Sequence, residues 1–237
     1  MVCFTSLLSV AALSVVGVSG APGNLTQGLE RMRQLRRDLT TRGVASPGEG
    51  DFDGVFYSYF TAGTSTTTFT NIAGGQYEIQ WDGSGDFVAG QGQNPGSTSA
   101  EITFSSTMEP AADAEVILSV YGWSENPLVE YYINEFNNNG QFDLTFEGTQ
   151  KGSVTSDGSA YNIFIHEQVN QPSITGTATF NQYISVRESE RTSGTVTVAN
   201  HVAAWASLGM DLGTLNYQIV AVEGLSGSGQ ATVTVEI

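Results

Sequence analysis

From Val55 onward, apolar and polar residues alternate in short runs, the period of a strand whose two faces meet different surroundings. Runs of this kind occupy residues 55–60, 67–70, 76–81, 100–104, 115–123, 128–135, 141–146, 160–167, 176–187, 215–222 and 229–235. Gly, Ser, Thr and Asn fill the gaps, so the text reads as strand, turn, strand. Many strands at regular spacing predict an all-β fold, a β-jelly roll or twisted two-sheet sandwich. One interval breaks the pattern. Val198, Val202 and Trp205 recur at spacings of four and three with Gly209 behind them, predicting a single α-helix packed on the outer face of a sheet with Trp205 hidden beneath it. No internal repeat or linker divides this region, so residues 43–237 are expected to form one domain.

Two segments, 127–133 and 217–224, place a carboxyl among apolar and aromatic strand residues, where charge is uncommon. In the first, Leu128, Glu130 and Tyr132 share a face while Val129, Tyr131 and Ile133 share the other; in the second, Glu223 shares a face with Tyr217, Ile219 and Ala221. Two carboxyls among apolar and aromatic neighbours suit glycoside hydrolysis, in which one must hold a proton while the other stays ionised. Their separation, which distinguishes retention from inversion, is not a sequence property. Tyr121 and Trp123 share a face of the preceding strand. Aromatic faces stack on sugar rings and phenol hydroxyls reach sugar oxygens, although core packing accounts for Trp123 equally well. Asp86 stands in the Gly-rich run Trp81 to Phe87, which by itself reads as a turn.

The chain before residue 43 has a different composition. An apolar run from Val2 to Val18 ends in small residues and reads as a secretory signal peptide over 1–20, although no Lys or Arg precedes it. The run is short for a membrane span. Residues 21–42 hold Arg31, Arg33, Arg36, Arg37 and Arg42 against Glu30 and Asp38, with Leu25, Leu29, Met32, Leu35 and Leu39 at helical spacing. The dibasic Arg36-Arg37 makes this a propeptide, a retained basic arm being the alternative. The single glycosylation sequon, Asn24-Leu25-Thr26, lies inside it.

The whole chain has 8 basic and 24 acidic residues; without the five and two of the leader, 3 and 22 remain, a formal charge of −19. A secreted product with that charge repels nucleic acid and anionic membranes, so neither is expected as a partner, and an acidic working environment is expected. Cys3 is the only cysteine and falls in the signal peptide, which leaves no disulfide. His166 and His201 are too few and too isolated for a triad or a metal cluster, and no phosphate loop or metal-ligand spacing appears. No cofactor is expected.

Six segments carry a further signal: SVYGW (119–123), NPLVEYYI (126–133), VTSDGSAY (154–161), VNQPSITGTATF (169–180), NHVAAWASLGM (200–210) and NYQIVAVEG (216–224). In this order they resemble the endo-1,4-β-xylanases of glycoside hydrolase family 11, over about Asp51 to Ile237. The resemblance implies Glu130 as nucleophile and Glu223 as general acid/base, with retention. It implies that Asp86 is hydrogen-bonded to Glu223 and goes with an acidic optimum. Tyr121 and Tyr132 would contact the nucleophile or the proximal sugar, Pro172, Gln182 and Tyr217 would hold substrate beside the Trp123 read above as a sugar-stacking candidate, and residues 170–174 would form a thumb hairpin over the cleft. His201 would be a buried, hydrogen-bonded structural residue. The partner so implied is xylan or a related β-1,4-linked polysaccharide, bound by a monomer.

Five positions depart from the family. Phe60, Gln93 and Ile184 stand where tryptophans are usual, Leu225 where a tyrosine is, and Gln168 where an arginine reaches the sugar. Lost stacking costs about 1 kcal/mol per ring. A carbohydrate-binding or cell-wall-recognition protein on the same scaffold, or a glycanase for a related polymer, are therefore the alternatives.

Overall fold

Strands with one apolar and one polar face must bury the apolar one, and stacking two sheets is the common solution. The computed structural model, which describes residues 41–140 and 148–236, is built in this way. One sheet has nine strands in the order β10 (Thr149–Ser156), β11 (Ser159–Ser173), β12 (Gly176–Arg187), β9 (Val129–Asn137), β8 (Glu115–Glu125), β14 (Thr214–Ser226), β6 (Phe87–Gln93), β3 (Val55–Thr61) and β2 (Gly48–Phe52). The other has six: β1 (Arg42–Val44), β4 (Thr66–Ile72), β5 (Gln76–Asp82), β15 (Ser228–Glu236), β7 (Glu101–Pro110) and β13 (Ser193–Thr197). Among the described residues all pairs are antiparallel except β9 with β12. The fold is the expected jelly-roll sandwich.

The alternation decides which face of the large sheet meets what. Val129, Tyr131 and Ile133 of β9 join Val120 and Val222 against Phe69, Tyr77 and Ile79 of the small sheet, forming the main core. The Tyr77 hydroxyl crosses between the sheets to the Val220 carbonyl at 2.9 Å. The opposite face carries Tyr121, Trp123, Tyr132, Phe180 and Tyr217 as a separate cluster. One sheet thus presents a dry face to the core and an aromatic face to a cleft.

The helix α1 (Val198–Ser207) packs on the core side. Its entry is fixed by Asp157, whose carboxylate accepts the Thr197 amide at 3.0 Å and the Thr197 hydroxyl at 2.8 Å. It ends where Gly209 adopts a φ of 74°, a conformation that glycine reaches without steric cost. Trp205 is fully buried, lies beside Tyr131 and Tyr183, and donates its indole N–H to the Ser185 hydroxyl at 3.0 Å.

Several elements differ from the expectation. The strand expected over 141–146, like residues 1–40 of the expected leader 1–42, lies outside the described residues. Strands β1, β2, β6, β10 and β13 carry too little alternation to be read. In β6 the reason is visible: a Cβ on Gly90 or Gly92 would collide with the backbone of β14, so the strand needs glycine where a side chain would have marked it. Arg42, expected as the last residue of the leader, opens β1 and forms an ion pair with Glu78.

Candidate active site

Glu130 and Glu223 stand two strands apart, on β9 and β14, with β8 between them. Across the sheet Glu130 is level with Trp123 on one side and Gln182 on the other, and Tyr132 is level with Tyr121. Glu223 is level with Val88, which is level with Phe60. Both glutamates are 8% exposed and line one cleft of about 670 Å³. Residues 93 apart in sequence thus face a common space because each keeps the strand period on the same face.

The two carboxyls are held differently. Glu130 Oε1 accepts the Tyr121 hydroxyl at 2.7 Å, and that hydroxyl accepts the Trp123 indole N–H at 2.8 Å. Glu130 Oε2 accepts the Gln182 amide at 2.7 Å. Gly122, between Tyr121 and Trp123, has no room for a side chain, because a Cβ would meet the Tyr217 carbonyl and the Tyr131 hydroxyl. Glu223 has no such support: its Oε2 is buried without a hydrogen-bond partner.

Burial raises both pKa values, because a charge loses its hydration inside protein. For Glu130 hydrogen bonds from Tyr121, Gln182 and Tyr132 oppose the rise. For Glu223 the charges of Asp86 and Glu130 add to it and only Tyr132 opposes, so its carboxyl is pushed well above the ordinary range. Asp86, just before β6, is raised by burial to about 6. The resemblance implied an Asp86–Glu223 hydrogen bond; Asp86 Oδ1 and Glu223 Oε2 are each buried without a donor from another group, and the charge of Asp86 raises the pKa of Glu223. Two carboxyl oxygens attract only when one carries a proton. Chemically, the cleft offers two carboxyls raised by burial, one with donors that oppose the rise and one pushed further up by neighbouring charge, and unequal carboxyls are what glycosyl transfer to water uses.

Every residue expected at the site lines this cleft: Asp86, Tyr121, Trp123, Glu130, Tyr132, Pro172, Gln182, Tyr217 and Glu223. Trp123 is only 3% exposed and packs edge-on against Phe180 at 4.8 Å, so it walls the cleft while holding Tyr121. The hairpin from β11 to β12 brings Gln171, Pro172, Ser173 and Ile174 to the same space. A register shift between Gln168 and Gln171 puts an extra residue in β11, with Asn170 at a φ of 55°. Such a bulge re-aims side chains, and here Gln168 and Gln171, three apart, both reach the cleft.

The departures separate into two groups. Phe60 and Leu225 are partly exposed in the cleft and Gln168 lines it too. Ile184 lies on the cleft-side face level with Tyr132 but is fully buried, and Gln93 is hydrogen-bonded to Gln218; neither is among the cleft-lining residues. Two further points differ from expectation. His201 is fully buried, but both its ring nitrogens lack hydrogen-bond partners; it packs edge-on against Tyr161 at 4.6 Å. Phe180, Ser58 and Glu49 also line the cleft. For Phe180 the signal was available, since it shares a face with Gln182.

An all-β sandwich with two buried, unequally held carboxyls in an aromatic cleft has the form of a glycoside hydrolase. The model of glycosyl hydrolases family 11 matches residues 52–234, and the chain belongs to that family. It is 44% identical over 239 residues to endo-1,4-beta-xylanase 4 of Pyricularia oryzae, covering all of both chains. It is 46% identical over 235 residues to an ethylene-inducing xylanase of Penicillium digitatum, covering 99% of this chain and all of that one. A solved endo-1,4-beta-xylanase structure from Trichoderma reesei superposes with a TM-score of 0.70 at 46% identity, covering 82% of this chain and 99% of that one.

Proposed function

We propose that the protein is a secreted endo-1,4-β-xylanase that cleaves internal β-1,4-xylosidic bonds of xylan with retention, best at acidic pH. The observation that carries this reading is the unequal support of the two carboxyls, two hydrogen-bond donors, Tyr121 and Gln182, for Glu130 against an unpartnered oxygen on Glu223. The names of the relatives supply the substrate.

In the first step the Glu130 carboxylate attacks the anomeric carbon while Glu223 gives its proton to the departing glycosidic oxygen. A glycosyl ester forms, and the charge of Glu130 disappears. With that repulsion gone Glu223 becomes a base, takes a proton from water, and the hydroxide oxygen displaces Glu130. The pair titrates as one unit. Tyr132 lines the same cleft and bears on the pKa of both carboxyls. Retention, with its carboxyl spacing of about 5–5.5 Å, is the course that the family resemblance implies. Asp86, at about 6, adds a third proton to the account and supports an acidic range.

Secretion rests on the apolar run and basic leader of residues 1–42; among the described residues no helix is long and apolar enough to cross a membrane. The test is reducing-sugar release from xylan and from other β-1,4-linked polymers between about pH 3 and 7, with Glu130→Gln and Glu223→Gln beside the wild type. The expected result is release from xylan by the wild type alone. A wild type as inactive as its variants, yet retained on xylan, would leave a binding protein on this scaffold.

A further inference from the structure

The Gln182 amide has two ends, and only one of them helps a carboxylate. Its Nε2 donates to Glu130 at 2.7 Å, while its Oε1 accepts the Gln168 Nε2 at 3.2 Å. We propose that Gln168 is a positioning residue that keeps the Gln182 amide turned with its donor toward Glu130. The proposal deepens the reading of Glu130 as nucleophile and rests on it.

The backbone makes this contact specific. Gln182 lies on β12 level with Glu130 of β9 on one side and with His166 of β11 on the other, and Gln168 is level with Phe180. Gln168 and Gln182 are therefore a diagonal pair, with Cα atoms about 7–8 Å apart in a regular sheet. Two glutamines span that gap; asparagine at 168, one methylene shorter, does not. The bulge directly after Gln168 ends the regular ladder at this point, so the contact sits where the thumb hairpin leaves the sheet.

The need for the contact differs between the two steps of the reaction. While Glu130 is ionised its own charge attracts the Gln182 N–H, and Gln168 is dispensable. In the glycosyl ester that charge is gone, and an untethered amide can turn its carbonyl toward the ester oxygens. The second step expels Glu130 as a carboxylate, which needs the donor back in place. Gln168 thus acts on deglycosylation, through Gln182, without touching the reacting atoms. A direct sugar contact by Gln168 would instead strengthen substrate binding.

The two roles separate on dinitrophenyl β-xylobioside, whose good leaving group makes the second step limiting. For Gln168→Leu, and equally for Gln168→Asn, kcat is expected to fall about fivefold, the effect of one neutral hydrogen bond. KM should fall in proportion, with kcat/KM within about twofold of wild type. In a Gln182→Leu background the further change Gln168→Leu should have no effect. A raised KM at unchanged kcat, unchanged constants in both Gln168 variants, or losses that add in the double variant would overturn the proposal. Failure of the underlying reading looks different: Glu130→Gln would then turn over this substrate as the wild type does.

Discussion

The Tyr121 hydroxyl lies 2.7 Å from Glu130 Oε1, and the Trp123 indole holds it there from two residues along the same strand. A donor to a carboxylate stabilises the charged form. Tyr121→Phe removes it, so the pKa of Glu130 rises further. Under the proposed mechanism activity needs ionised Glu130, and the acid limb of kcat/KM is expected to move to higher pH by about one unit, given the strength of hydrogen bonds to charged groups. An acid limb that stays in place in the Tyr121→Phe profile would contradict this.

Under the proposed mechanism Asp86 sets the other limb. Below its pKa of about 6 it is neutral; above it, its charge raises the pKa of Glu223 and makes that group a more reluctant acid. Wild-type activity is therefore expected to fall as pH rises through about 6. Asn at this position mimics the neutral form at every pH. Asp86→Asn is expected to move the optimum upward, as read from kcat/KM between about pH 3 and 8; a superimposable profile would remove Asp86 from the account.

The strand period made Glu130, Tyr132, Tyr217 and Glu223 legible before any coordinates, because a cleft floor made from one sheet face selects every second residue. Three kinds of feature stayed hidden. The glycines of β6 carry no side chain to alternate, the Gln168–Gln182 contact is diagonal and follows from register, and the relation of Glu135 to Arg191, 56 residues on, has no local signature. His201 was placed correctly as buried, but its surroundings are aromatic and offer its nitrogens no partner.

Glu135, 1% exposed, accepts the Tyr161 hydroxyl at 2.7 Å and is paired with Arg191. Removing one member of a buried pair leaves an uncompensated charge. Arg191→Met is expected to cost about 3–5 kcal/mol of unfolding free energy at neutral pH. Adding Glu135→Gln should restore part of it. Urea denaturation of the two variants would measure this, and a loss unchanged in the double variant would refute the pairing.

His201 limits stability in acid. Burial lowers its pKa to about 4, below its ordinary value, so folding favours the neutral ring. That stability is fully present above about pH 6.5 and is lost as pH falls toward 4, as much as about 3 kcal/mol in all. His201→Leu cannot titrate and should show a shallower fall in unfolding free energy between pH 7 and 4. Parallel falls in the two proteins would contradict the assignment.

Opposite roles for Glu130 and Glu223 are tested most directly by a substrate whose leaving group needs no proton. Mixed with dinitrophenyl β-xylobioside, Glu223→Gln is expected to release a burst of about one equivalent of dinitrophenolate and to gain the mass of one xylobiosyl unit on Glu130. Glu130→Gln should give neither. A burst from Glu130→Gln, or a label on any other residue of Glu223→Gln, would contradict the account.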